Sequence, residues 1–422
     1  MANQTTDQKG RENGSAFEWW MLSYFGLGAG FSAFVRLLIP PYVTEATGSA
    51  AQAGVVMATM SLAAVSAPAL GGFADRYRAH RLILNMGMFG IALAFAAYAI
   101  SAGDSLVTAL DAILLGVSVA AINAVAPVFI VSAGLSQKLQ AKRLTTLNVL
   151  GPVGQTVGGA ILGWAATAGM SYDQRFWIAA VFMLGAALIV FFSTAKPASR
   201  IQVAGAPAED GAEVEAKKTF SLKQVLFSTF GLYLLILIFS SIAFNGFNAQ
   251  VANIFPNVFG FSEALTSTVI SLAGILGIIG FFVAGAWMAR SGPTTVYTGG
   301  TILRIVGIAA LAVLGVIGSM PVLIVVVAAQ ILYFSRPFGR LPQPSIGVRF
   351  ATISAGQATG WIGGSGAIGS FVGALLGGWL ADKVGFNSIL WMGTISGGIA
   401  LLLVVFGLWP AERKKRAAES AA

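Results

Sequence analysis

Residues 151–164 read GPVGQTVGGAILGW, and residues 366–379 read GAIGSFVGALLGGW. At a constant offset of 215, six of these fourteen positions are identical: Gly151/Gly366, Gly154/Gly369, Val157/Val372, Gly158/Gly373, Gly163/Gly378 and Trp164/Trp379. Both stretches lie in long apolar runs, so the chain repeats itself at half length inside membrane-spanning sequence. Glycines spaced three to five apart keep one helix face small and let a neighbouring helix approach closely. Two similar halves place a site between two lobes, where rocking one lobe on the other opens it to either side.

Composition excludes most soluble readings. The chain is 56% apolar and 10% charged, against roughly 25% charged in a globular domain. Its 422 residues, at about 20 per crossing, leave room for roughly twelve helices and short loops. Cysteine is absent and His80 is the single histidine. A disulfide framework, a thiolate or His-rich metal centre and a Cys or His nucleophile are therefore not expected. No cofactor and no enzyme activity are expected either.

The apolar pattern predicts an all-α membrane protein with spans near 17–43, 52–74, 82–101, 105–135, 144–168, 175–195, 225–254, 265–289, 296–318, 321–342, 355–381 and 388–409. The run that starts at Phe17 is too long for a signal-peptide core. Loop charge orients the chain. With the N-terminus inside, inner segments carry 21 Lys and Arg, outer loops carry only Arg175 and Lys383, and Arg36 and Arg304 lie inside spans, which accounts for all 25. This bias predicts cytoplasmic termini and explains the net charge of +9 without nucleic acid. The expected organisation is a tail at 1–16, a six-helix lobe at 17–195, a flexible linker at 196–224, a second lobe at 225–410 and a tail at 411–422. A bacterial inner membrane is the expected location.

The loop Gly71-Gly72-Phe73-Ala74-Asp75-Arg76-Tyr77-Arg78-Ala79-His80-Arg81 resembles the signature G-x-x-x-D-R-x-G-R-R/K of the major facilitator superfamily. Gly71, Asp75 and Arg76 match and Arg81 supplies a closing basic residue, while Arg78 stands where the family has glycine. A weaker copy, Gly285 to Gly292, has Ala289 in place of the acidic residue. The resemblance covers residues 17–410 and implies a twelve-helix fold in two pseudo-symmetric lobes that carries a small solute by alternating access. Asp75, at the inner end of its span, can meet a helix N-terminus across the lobes and pair with Arg76 or Arg81. Gly71, Asp75, Arg76 and Arg81 are thus the expected gate. Gly151-Pro152 and Gly158-Gly159 resemble a pattern of the family's exchangers, though close packing explains them as well.

Polar residues inside the spans address the substrate. Arg36 in span 1 and Asp111 in span 4 are costly in hydrocarbon and face a cavity or a partner; the resemblance places both spans around the central cavity. Two roles stay open: a fixed Arg36–Asp111 ion pair, or Arg36 binding an anion while Asp111 exchanges the coupling proton. Asn245 and Asn248 share a face of span 7. With Asn123, Gln330 and Tyr333 they complete a plausible binding ring. Gln155 reads as a packing residue and Arg304 as support for its lobe. Trp19, Trp20, Trp391 and Trp409 read as interfacial aromatics. No Walker-type G-x-x-x-x-G-K-[ST] occurs, so nucleotide drive is not expected. Three functions follow: proton-coupled transport of a small solute such as an organic anion, proton-driven efflux of amphipathic compounds, or a sensor or assembly factor that carries nothing. The expected partners are a small-molecule substrate, protons and the lipid bilayer.

Overall fold

The computed structural model describes residues 15–101, 105–201, 225–318, 320–351, 353 and 355–421. The tail before residue 15 and the linker from 202 to 224 lie outside them. Among the described residues the chain is helical, with no strand. Eleven helices are long and apolar enough to cross a membrane. In chain order these are α1 (Trp19–Thr47), α2 (Ala50–Tyr77), α3 (His80–Ile100), α4 (Leu106–Val131), α6 (Tyr172–Ser193), α7 (Thr229–Phe259), α8 (Glu263–Ser291), α9 (Pro293–Ile317), α10 (Val322–Phe350), α11 (Gln357–Val384) and α12 (Asn387–Lys415). Between α4 and α6 runs α5 (Gln137–Thr167), 31 residues long. Asn148, Gln155, Thr156 and its glycines make α5 less apolar than the rest.

Local chemistry sets the ends. Serine side chains cap α2, α5, α6, α7 and α8 at Ser49, Ser136, Ser171, Ser228 and Ser262. Left-handed Gly48 and Gly260 close α1 and α7. The two halves therefore end and restart these helices with the same signals.

The repeat is structural. A Cβ on Gly154 would sit 1.9 Å from the Phe25 carbonyl oxygen, and one on Gly158 would lie 3.0 Å from Ala29 Cα, so α5 and α1 meet backbone to backbone. The partners Gly369 and Gly373 press α11 onto α7 in the same way, against Ile238 and Ile242. Gly163 instead faces Ser267 of α8, and Gly378 faces Ala50 and Gly54 of α2. Each repeated helix thus has one glycine face inside its own half and another against the opposite half. Trp164 and Trp379 both point outward and are exposed.

Glu18 ties the basic end of the first half together. Its carboxylate accepts from Arg143 at 2.8 Å, Arg200 at 2.7 Å and the Trp20 indole at 2.8 Å. Trp20, expected at an interface, is instead fully buried and packs on Phe129, because its N–H finds this carboxylate. Burial alone would raise the Glu18 carboxyl; the bonds from Arg200 and Trp20 and the Arg143 charge outweigh it and hold it below its ordinary value. Its stabilisation is therefore complete above the ordinary carboxylate range and lost as pH falls through the lowered folded value. Glu18→Gln should cost about 1–3 kcal/mol and flatten the acid limb. Thermal unfolding of the wild type and variant, from neutral pH to about pH 3, checks both.

Candidate functional site

Two small cavities lie between the halves, near the middle of the helices. The first, about 110 Å³, is bordered by α1, α4, α5, α8 and α10 and includes Phe31, Asn123, Gln155, Tyr333, Arg336 and Arg340. The second, about 50 Å³, lies among α1, α2, α7 and α11 and includes Phe31, Arg36, Ser61, Asn245, Asn248 and Ser370. Phe31 borders both, and the Tyr333 hydroxyl donates to Asn248 Oδ1 at 3.4 Å, which links their walls.

Arg36 is placed by an irregular α1. Residues Gly28–Val35 form a π-helical segment directly before it, a geometry frequent at functional sites. Pro40 and Pro41 follow within the helix, so the Arg36 carbonyl has no donor at either i+4 or i+5. The side chain is 4% exposed, its Cζ lies 5.8 Å from the Phe31 ring centre, and Nη1 has no hydrogen-bond partner. Registering Gly48 on Gly260 places Asn248 of α7 opposite Arg36 of α1, and both line the smaller cavity.

The predicted ring is brought together in part. Arg36, Asn245 and Asn248 share one cavity, and Asn123 and Tyr333 share the other. Asn245 donates to Ser370 at 2.7 Å, Asn248 to the Phe244 carbonyl at 2.6 Å and Asn123 to the Val119 carbonyl at 3.0 Å. Gln330 lines neither cavity; it donates to the Val269 carbonyl at 3.0 Å and leaves Oε1 buried without a partner. Asp111 also lies apart from them. The Arg36–Asp111 ion pair does not form: among the described residues neither has an ion partner, and Asp111 Oδ2 is buried without a hydrogen bond. Arg36 sits at the centre between the halves, whereas Asp111 lies within the first half beside Tyr98.

Arg336 lines the larger cavity and donates to Gln155 Oε1 at 3.3 Å. Gln155 in turn donates to the Ile270 carbonyl at 3.0 Å, so α5, α8 and α10 are joined across the halves. Arg336 feels the charges of Arg36, Arg340 and Arg304. None of these four has a carboxylate partner among the described residues. Arg304 supports its own half, with its guanidinium 5.0 Å from the Phe244 ring centre and donating to the Ser240 carbonyl at 3.4 Å.

The signature loop also departs from expectation. Asp75 pairs with His80 Nε2 at 2.8 Å, not with Arg76 or Arg81, and makes no hydrogen bond to the other half among the described residues. His80, expected in an open loop, is buried in the first turn of α3. Arg81 instead lies over the Phe191 ring, and Arg76 over Tyr77. Gly71 packs loosely, with Ala124 Cβ 3.9 Å from where its own Cβ would be. Arg78, at the motif's glycine position, adopts φ 52°, which is the left-handed backbone that explains a glycine there.

The two ends of the molecule differ. At the basic end, a cavity of about 740 Å³ opens between the halves and shares Asn148, Phe281 and Arg340 with the central cavity, and another of about 1030 Å³, lined by the second half, reaches Pro68 of the first. At the other end the halves are bridged. Asp382 of α11 accepts from the Ser49 hydroxyl and from Ala50 and Ala51 N–H at the start of α2, where a carboxylate is favoured by the helix dipole. Gln250 donates to the Ala50 carbonyl, Asn253 to Thr44, and Glu263 pairs with Arg175 and Tyr172. Asp382→Ala should therefore loosen this end. The chain has no cysteine, so spin labels at Glu45 and Asn257, on either side of a vestibule of about 260 Å³, report it directly. A longer-distance population should grow; an unchanged distribution would argue that Asp382 does not hold the end closed.

Comparisons agree with this architecture. Solved structures of like fold include a mutant of the nucleoside transporter NupG (TM-score 0.68, 14% identity, covering 92% of this chain and 97% of that one). A POT family transporter bound to a thioalcohol-conjugated peptide gives 0.69, 14%, 92% and 95%, and a D-xylose-proton symporter gives 0.67, 13%, 92% and 96%. Comparison with curated protein sequences gives no match. The family model described as Major Facilitator Superfamily matches residues 20–339. With the apolar helices, that match makes the protein an integral, multi-pass membrane transporter rather than an enzyme: the chain belongs to the Major Facilitator Superfamily.

Proposed function

We propose that this transporter moves a small organic anion by alternating access, driven by protons. The observation that carries the anion reading is Arg36: a buried guanidinium in a cavity between the halves, with Nη1 unpartnered. Burying an unpaired charge is costly, and a ligand anion would relieve that cost. In this reading α1–α12 are twelve spans, residues 17–195 and 225–410 form the lobes, and both termini are cytoplasmic in a bacterial inner membrane. The basic residues gathered at one end support that orientation. The conformation is then inward-facing. The motif residues Gly71, Asp75, Arg76 and Arg81 would meet the second lobe only when the inner end closes, which is consistent with an Asp75 that makes no cross-half bond here.

Asp111 is the proposed proton carrier. It is a buried carboxylate with a free oxygen in the first lobe, and one similar fold is that of a proton symporter. Being apart from Arg36, it would act through the conformational change rather than by direct contact with substrate. Asp111→Asn, fixed as if protonated, should abolish accumulation driven by a pH gradient while retaining substrate exchange. Gradient-driven uptake and counterflow in liposomes separate the two; an Asp111→Asn protein that still accumulates would remove Asp111 from the mechanism.

A second reading, efflux of amphipathic compounds, is favoured by the cavity of about 740 Å³, where Leu144, Val149, Phe281 and Phe282 accompany Arg340. Indifference of flux to Arg36 would select it.

A further inference from the structure

We infer that the paired cavities take a short dicarboxylate, with one carboxylate on Arg36 and the other on Arg336. This rests on the anion reading and goes further by fixing the number of the substrate's charges and placing them on separate groups.

The first argument is charge. Arg36 and Arg336 lie on α1 and α10, one in each cavity, and the Arg36 charge acts on Arg336. Arg36 has a buried nitrogen with no partner, and among the described residues Arg336 bonds only to the neutral Gln155 amide. No carboxylate pairs with either among the described residues. A ligand with one negative charge would leave one of the two guanidiniums uncompensated.

The second argument is space. The cavity at Arg36, about 50 Å³, has room for a few waters at most. It accommodates a carboxylate and excludes a ring. The larger cavity, about 110 Å³, takes the short carbon chain and the second carboxylate. Phe31 and Tyr333 stand where the two spaces meet, so the charges must sit on separate groups. Gln155 adds a consequence: a carboxylate that draws Arg336 away from it releases a bond between the halves, and so links binding to their separation.

Binding to the purified full-length protein tests this, with succinate and glutarate set against butyrate and valerate of matched chain length, and glycerol phosphate as a single-group dianion. Dicarboxylates should bind at least about tenfold more tightly than their monocarboxylate partners. Arg336→Gln should erase that advantage, while Arg336→Lys should restore part of it and so controls for folding. Equal binding of mono- and dicarboxylates, or tighter binding of glycerol phosphate, would overturn the inference and leave the anion reading standing. Stabilisation by lipophilic cations alone would overturn both.

Discussion

Replacing Arg36 with Met should weaken anion binding at least about 30-fold and raise the melting temperature of the ligand-free protein. The two effects have one cause. The Arg36 guanidinium is 4% exposed, with an unsatisfied nitrogen and no ion partner, so the empty protein bears its desolvation cost. A similar-sized apolar side chain relieves that cost, worth about 1–2 kcal/mol. The bound anion, in contrast, loses its charge-assisted partner, a loss of about 2–5 kcal/mol, or roughly 30-fold to several thousand-fold in affinity. Wild-type protein at about 100 times its dissociation constant should gain about 2.7 kcal/mol from ligand, and Arg36→Met at the same ligand concentration should gain less than about 1 kcal/mol. Thermal unfolding with and without organic anions measures both. A variant that is destabilised yet still binds would show that Arg36 serves the fold.

The second large effect is expected at the repeat. Gly154→Ala places a methyl carbon 1.9 Å from the Phe25 carbonyl oxygen and 2.8 Å from its carbon. Both are backbone atoms of a packed helix, so α1 and α5 must separate, at a cost of about 1–3 kcal/mol or more for Ala and more still for Val. Gly369→Ala, which meets the Ile238 carbonyl oxygen at 2.4 Å, should behave alike. Gly398 has open space around its Cβ position, so Gly398→Ala should be neutral or stabilise by up to about 1 kcal/mol. Gly159 differs because it faces Ser271 of the other half. Gly159→Ala should therefore depopulate this conformation more than it destabilises the fold. Melting temperatures of the four variants check the ranking. A tolerated Gly154→Ala would contradict the backbone contact.

Much of the architecture was legible because glycine spacing and apolar length are one-dimensional signals. Gly154/Gly369 and Gly163/Gly378 occupy matching contacts in the two halves, as their repetition implied. Pairings were less legible. Sequence gives a residue's span but neither its depth nor its direction around the helix, and the π-helical turn before Arg36 shifts that direction further. Arg36 and Asp111, apparent partners on paper, therefore lie apart. Asp75 finds His80 because the left-handed turn at Arg78 folds α3 back onto it. Arg336 lost its significance in the positive-inside count, where every inner arginine looks alike. Asp382 and the start of α2, more than 330 positions apart in the chain, carry no local signal of their contact.

Transport of an organic anion between the two halves is decided by flux. The most direct test is uptake of a radiolabelled short dicarboxylate into liposomes containing only this protein, with an imposed inward proton gradient. Saturable accumulation that collapses with a protonophore and disappears in Arg36→Ala is the expected result. Binding without flux, or flux of lipophilic cations that ignores Arg36, would rule out anion transport.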